Sequence, residues 1–160
     1  MGKEPPKTIT SAEFRKQYVK PKRTPEQRER REQAALCKYI KHQYPKVLYT
    51  VDLAGINLSE SQRKIHQSRA MRGHPDLMFQ EWYKDKYCGL AIEFKAKGEE
   101  LLNEKGKLRN EHLTEQQNYL VALRERCWFA VFVCGFDNAK KVIDCYMEGG
   151  DLSKLNSIIY

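Results

Sequence analysis

Three side chains near the middle of the sequence could together carry out metal-assisted chemistry. Asp76 follows Pro75, while Glu93 and Lys95 lie in a second, strongly apolar stretch. Two carboxylates can hold a hard cation such as Mg²⁺, which prefers oxygen ligands. A cation held there could polarise a phosphodiester, and the ammonium of Lys95 could hold or help to deprotonate the attacking water, or stabilise charge growing on the phosphate. These residue types therefore indicate phosphodiester hydrolysis.

The three side chains come together only if residues 74–98 fold as a β-hairpin. Two apolar runs flank a polar turn around residues 84–86, which is the pattern of two antiparallel strands. The outer ends of such strands meet, so Asp76 should lie within a residue or two of the position opposite Glu93 and Lys95. A plainer interpretation stays open, in which Asp76 is a turn residue and the other two form an ion pair on an edge strand.

The rest of the chain predicts an alternation of helices and strands around this hairpin. Capping boxes begin two helices, Thr24 with Gln27 and Ser59 with Gln62. The predicted elements are a helix over 24–43, a strand over 47–52, a helix over 59–72, the hairpin, a helix capped by Thr114, a strand over 127–135, and a helix that Asp137 caps and that ends at 149–150. The strand over 127–135 is continuously apolar, which predicts burial on both of its faces.

The first helix offers a third acid. Glu32 begins a stripe at helical spacing that continues through Leu36, Tyr39, Ile40 and Gln43. We predict that this stripe packs on the sheet, which would bring Glu32 towards the metal. The alternative is that Glu32 is one more charge on a highly charged helix.

Charge and composition favour a polyanionic partner. The chain has 160 residues with 29 Lys and Arg against 21 Asp and Glu, a net charge of +8. Residues 1–24 form a predicted basic arm, which either grips phosphates or is a solvated terminus. For contacts with nucleic acid we single out five residues: Arg63, Lys64, Arg69, Arg72 and Lys97.

The length suits one domain, over residues 25–150, with a tail over 151–160 that docks on the domain or on a second subunit. There is no signal peptide and no apolar run long enough to cross a membrane. The five cysteines form no C-x-x-C pair, and their odd number favours reduced, mostly buried thiols. We therefore expect a cytoplasmic protein, and a phage is one source that its small size suggests.

The ordered set of motifs resembles the VRR-NUC family of the PD-(D/E)xK nuclease superfamily. The residues that carry the resemblance are Glu32, Gly-His-Pro-Asp at 73–76, Glu-Phe-Lys at 93–95, Lys97-Gly98, Leu-Thr-Glu-Gln at 113–116 and Tyr119. The resemblance covers about residues 25–140. The stretch between Gly98 and Gln116 is longer than the family pattern leads us to expect, and the basic arm is not part of that pattern.

The resemblance implies a restriction-endonuclease-like α/β core, with a mixed sheet flanked by helices. It implies DNA cleavage that depends on Mg²⁺ or Mn²⁺, with Asp76 and Glu93 as metal ligands and Lys95 as the catalytic lysine. Glu32 would help to bind the metal, and Gln116 would lie near the active site. Small members resemble Holliday-junction resolvases, which implies a homodimer with structure-selective cutting. Two alternatives stay open: a non-catalytic, basic nucleic-acid-binding module on the same fold, and an RNase.

Overall fold

The computed structural model describes residues 24–52, 59–69, 71–157 and 159. Apart from Thr24, the predicted basic arm lies outside these residues. The described part of the chain forms a four-stranded mixed sheet with helices on both faces, so the predicted α/β class is confirmed. No helix in this part combines the length and the apolar character needed to span a bilayer.

The elements follow one another in the predicted order. They are α1 (Pro25–Gln43), β1 (Tyr49–Val51), α2 (Glu60–Arg69), β2 (Leu77–Phe79), β3 (Gly89–Lys95), α3 (Glu111–Arg124), β4 (Trp128–Cys134), α4 (Phe136–Met147) and a short 3₁₀ helix (Leu152–Leu155). Both predicted capping boxes form, at Thr24 with Gln27 and at Ser59 with Gln62. The described side chains of α2 are exposed, as its polar sequence predicts.

The predicted hairpin is formed by β2 and β3, which pair antiparallel with Leu77 opposite Ile92. Lys84 and Asp85 make the turn with positive φ angles of 47° and 53°, the left-handed conformation that tight hairpin turns use. Strand order is β1-β2-β3-β4, and β4 runs parallel to β3. Strand β3 is thus central, and all seven of its residues are buried.

The sheet separates two apolar clusters. On one face, α1 and α4 pack through residues such as Leu36 and Ile143 against Ile92 and Phe94 of β3. On the other face, α3 packs Leu120 and its neighbours against small residues of the central strands. Because both faces are covered, any charged side chain on β3 must be buried, and burial of a charge is costly unless it is paired.

Four of the predicted boundaries were wrong. Helix α2 ends at Arg69, where the sequence predicted an end near residue 72. Helix α3 begins three residues before Thr114, and the side chain of Asn110 caps it by accepting a hydrogen bond from the backbone N–H of Leu113 (2.8 Å). Helix α4 begins at Phe136, so Asp137 lies inside its first turn. Strand β1 is three residues long where six were predicted.

The tail docks on the domain. The 3₁₀ helix contributes Leu152 and Leu155 to the α1–α4 cluster, and Ile159 forms a β-bridge with Val133.

The five cysteines are free. The prediction that they are mostly buried was wrong, because four are half-buried and Cys127 is exposed.

Candidate active site

Asp76 lies beside β3, just before β2 begins. Extending the register by one residue from Leu77 and Ile92 places it opposite Glu93. The carboxylate of Asp76 accepts hydrogen bonds from the backbone N–H of Phe94 (2.8 Å) and from the side-chain amide of Gln33 (3.2 Å). Its own carbonyl accepts the N–H of Asp52 (2.9 Å), which ties this position to the end of β1. Asp76 is therefore held by three separate elements.

Glu93 and Lys95 form a buried ion pair, with 2.8 Å between the Lys95 ammonium and Oε1 of Glu93. Their side chains are 2% and 7% exposed. The side-chain amide of Gln116, on α3, also donates to Oε1 of Glu93. The second oxygen of Glu93, Oε2, is buried without a hydrogen-bond partner in the structure. A buried polar atom with no partner is rare in folded proteins and suits a site that takes a ligand.

The electrostatics of the site favour a cation. Burial, followed by the nearby charge of Asp76, raises the pKa of Glu93 well above its ordinary value. Burial also raises the pKa of Asp76, against the hydrogen bond from Phe94 and the charge of Lys95. Burial alone would lower the pKa of Lys95, but its pairing with Glu93 outweighs this and leaves the pKa raised. Two carboxyl groups therefore share one ammonium, and a second positive charge would relieve their repulsion.

The first helix presents a different acid from the one predicted. The inward face of α1 carries Gln33, Leu36 and Ile40, and Glu29 lies on the same stripe one turn before Gln33. Burial raises the pKa of Glu29 to about 7, and its charge interacts with Lys95 and Asp76. The predicted stripe does face inward at Leu36 and Ile40, which are fully buried, and Tyr39 packs against the same apolar cluster.

Glu32 is half-buried beside that stripe. Its carboxylate accepts the backbone N–H of Lys97 (3.4 Å), just beyond the end of β3. Neither Asp76 nor Glu93 has Glu32 among its strongest electrostatic partners. A metal-binding role for Glu32 stays a prediction, and Glu29 is the acid that the structure brings to the other charged groups.

Three of the five residues predicted to contact nucleic acid have described side chains, and all three are exposed. Lys97 is 75% exposed and pairs loosely with Asp137 (3.6 Å), while Arg72 is exposed and pairs with Glu115 (3.1 Å). Lys64 pairs with Glu60 on the surface of α2. The side chains of Arg63 and Arg69 lie outside the described residues.

The geometry can be compared with known proteins. No protein-family model and no curated protein matches the sequence. A solved structure described as a VRR_NUC domain protein superposes with a TM-score of 0.56 at 23% identity, covering 78% of this chain and 91% of that one. The chain has the fold of a VRR_NUC domain. At this identity the likeness concerns the fold, and the chemistry has to be argued from the side chains.

Within the VRR_NUC-like fold, sequence reasoning missed two residues at the site, Glu29 and Gln33. Both lie at helical spacing with Leu36 and Ile40, so the signal was present in the periodicity. The predicted stripe shares Leu36 and Ile40 with the buried face but continued to Glu32, because the end of the face that reaches the site is polar and hydrophobicity does not reveal it. No cluster of three or more acidic, histidine or cysteine side chains suited to a metal occurs among the described residues. The candidate metal site therefore consists of two carboxylates, Asp76 and Glu93.

Proposed function

We propose that the protein is a nuclease that hydrolyses DNA phosphodiesters with the help of Mg²⁺ or Mn²⁺, on a PD-(D/E)xK site. The single observation that carries the proposal is the convergence of Asp76, Glu93 and Lys95 at one end of a buried central strand, with Oε2 of Glu93 left without a partner. The VRR_NUC-like fold supports it.

The side chains fit the proposed cation. Mg²⁺ commonly uses one or two protein carboxylates and completes its shell with waters and substrate phosphates. Asp76 and Glu93 supply two such groups, and they lie opposite each other when the pairing of β2 and β3 is extended by one residue. Burial raises the pKa of both carboxyl groups. A divalent cation there would replace a repulsion between carboxylates with an attraction. It would supply Lewis-acid polarisation of the phosphate and a lowered pKa of the attacking water.

The protein groups around the carboxylates have distinct roles in this proposal. Gln33 and the N–H of Phe94 orient Asp76, while Gln116 and Lys95 fix Oε1 of Glu93. This leaves Oε2 of Glu93 as the oxygen available for the cation. Lys95 remains charged, and its ammonium can hold the attacking water or stabilise negative charge on the phosphate. Fixing these groups before the substrate arrives lowers the reorganisation needed in the transition state.

DNA binding is supported by charge. The net charge is +8, and Lys97 extends from the end of β3, two residues after the proposed catalytic lysine. Contacts of this type neutralise phosphates and weaken steeply as salt rises. The homodimer and the preference for branched DNA that the resemblance implies are part of this proposal.

The test is cleavage of labelled linear, flap and four-way-junction DNA, and of matching RNA, with Mg²⁺ or Mn²⁺. Lys95→Ala and Glu93→Ala should abolish cutting but retain salt-sensitive DNA binding, while Glu104→Ala, a change in an exposed loop, should cut normally. Cutting by both site variants at the wild-type rate would refute the assignment. Binding without any product under either cation would favour the non-catalytic module, and preferential cutting of RNA would favour the RNase.

A further inference from the structure

A pocket of about 480 Å³ lies between the segment that follows α2 and the outer face of α3. Its lining residues are Met71, Arg72, Glu115, Asn118, Tyr119, Ala122, Leu123 and Arg126. The volume falls within the range of pockets that hold small ligands. The lining combines a largely apolar floor with two guanidinium groups and the carboxylate of Glu115, which pairs with Arg72. The remaining positive charge of Arg126 suits a flat, apolar ligand attached to an anion.

The pocket adjoins the candidate active site. Met71 lies five residues before Asp76, and Tyr119 lies three residues after Gln116 on α3. Residues three apart on a helix share a face and are separated by about 5 Å along the axis. The pocket therefore begins roughly one helical turn from the side chain that holds Glu93.

The chain between the two sites also packs against α3. A Cβ atom at Gly73, which has a φ of +77°, would come within 2.6 Å of the carbonyl oxygen of Glu115. The neighbouring ring of His74 contacts Tyr119 edge-on, with 5.5 Å between ring centres. Between Met71 and Asp76, the chain is thus packed directly on α3 at Gly73 and His74.

The geometry points to a subsite for one unpaired nucleobase next to the phosphate that is cut. This inference rests on the proposed nuclease function and specifies its substrate: a strand with an unpaired nucleotide at the cleavage position. Tyr119 and Met71 offer an aromatic and a thioether surface for the base, since bases stack on aromatic side chains whatever their sequence. Arg126 offers a guanidinium group to a flanking phosphate, while the guanidinium of Arg72 is paired with Glu115 (3.1 Å). Met71 is 73% exposed, so its thioether is accessible to a ligand that enters the pocket.

The test compares two single-stranded oligomers of equal length and charge, one of thymidines and one made only of abasic sites. Their affinities for the full chain are measured by fluorescence anisotropy in EDTA, so the readout does not depend on cleavage. Stacking of one base predicts that the wild-type protein binds the thymidine oligomer about 5- to 150-fold more tightly. Met71→Ala and Tyr119→Leu should bring that ratio towards one.

Leu48→Ala is the matched control, because Leu48 is 67% exposed and lies beside Gln80 and Glu81, at the opposite end of β2 from Asp76. It should leave the ratio unchanged. Thermal unfolding of Tyr119→Leu checks that the variant is folded, and Met71→Ala gives the same test at an exposed position. A wild-type ratio of one, or a ratio that neither pocket variant lowers, would overturn the subsite and indicate that another ligand covers the pocket.

Cleavage separates this failure from failure of the proposed function. A protein that cuts DNA but shows no base preference has the nuclease activity without the subsite. A protein that shows the base preference, sensitive to Met71 and Tyr119, but never cuts has the subsite without the activity. In a cutting protein, a single abasic site moved stepwise across the mapped cleavage position should slow cutting at one position only.

Discussion

Replacement of Lys95 by methionine should destabilise the protein strongly, although it changes a single side chain of similar length. Lys95 is the ammonium that pairs with Glu93 at 2.8 Å, and both side chains are almost fully buried. Removing one partner of a buried ion pair leaves an uncompensated charge, which costs about 3–5 kcal/mol. For a chain of this size, each kcal/mol corresponds to a shift of about 2–4 °C in Tm. We therefore expect Tm to fall by roughly 6–20 °C.

The loss should depend on pH in a definite direction. Burial already raises the pKa of Glu93 in the wild-type protein, and loss of the ammonium must raise it further. A carboxyl group whose pKa is raised on folding favours the folded state at low pH, and this contribution is lost as the pH rises through the folded pKa. The deficit of Lys95→Met relative to wild type should therefore be smaller at pH 5 than at pH 8.

The assay is urea unfolding at both pH values in EDTA, with Lys97→Met as the matched control. Lys97 is 75% exposed and its pairing with Asp137 is loose, so the same substitution should cost less than about 1 kcal/mol. If Lys95→Met is no less stable than Lys97→Met at pH 8, Glu93 and Lys95 do not form a buried ion pair and the description of the site is wrong.

Three further predictions concern other parts of the molecule. Glu29→Gln should reduce cleavage at least about 10-fold and Glu32→Gln less than about 3-fold, because Glu29 is the acid of α1 that interacts with Asp76 and Lys95; equal losses would contradict this. Gly73→Ala should lower the free energy of unfolding by more than about 1 kcal/mol in chemical unfolding, because its Cβ would meet the backbone of Glu115 at a positive φ. Gly106→Ala is the control, since Gly106 also has a positive φ but open space around it, and it should lower the free energy of unfolding by less. Asp144→Asn should cost about 1–2 kcal/mol at pH 7, since Asp144 accepts hydrogen bonds from Tyr39, Tyr44 and Lys140. Burial alone would raise the pKa of Asp144, but these hydrogen bonds leave the pKa below its ordinary value of 3.8. The ionised carboxylate therefore stabilises the folded state at pH values above 3.8. The difference in stability between Asp144→Asn and wild type should vanish as the pH falls through the folded pKa.

The hairpin could be predicted from sequence because its signals are local. Two apolar runs and a polar turn predict the pairing and bring Asp76 within a residue or two of the position opposite Glu93. The register in the structure, extended by one residue, places it directly opposite. The capping boxes at Thr24 and Ser59 could be predicted for the same reason, since each needs only a short polar side chain and a glutamine three residues later.

The phase of α1 could not be predicted in the same way. Its buried face continues from Leu36 and Ile40 into Gln33 and Glu29, which are polar because they reach the charged end of the sheet. A stripe chosen by hydrophobicity finds Leu36 and Ile40 but cannot anticipate the polar residues at the end of the face, so it continued to Glu32 instead. Functional sites are where local patterns and the final structure are expected to disagree.

The capping error at α3 has a different cause. Thr114 and Gln117 have the spacing of a capping box, but Asn110 lies one turn earlier and its side chain bonds the N–H of Leu113. Thr114 instead donates its hydroxyl to the carbonyl of Asn110 inside the helix (3.1 Å). Both residues are competent caps, and the burial of Leu113 against the sheet determines which of them is used.

The proposed function requires that Asp76 and Glu93 hold one divalent cation between them. Its most direct test is binding of Mn²⁺, followed by the electron paramagnetic resonance signal of the free ion, for wild type, Asp76→Asn and Glu93→Gln. We predict one Mn²⁺ per wild-type chain and at least about a 10-fold loss of affinity in each variant. Binding that neither substitution weakens would place the cation elsewhere and contradict the account.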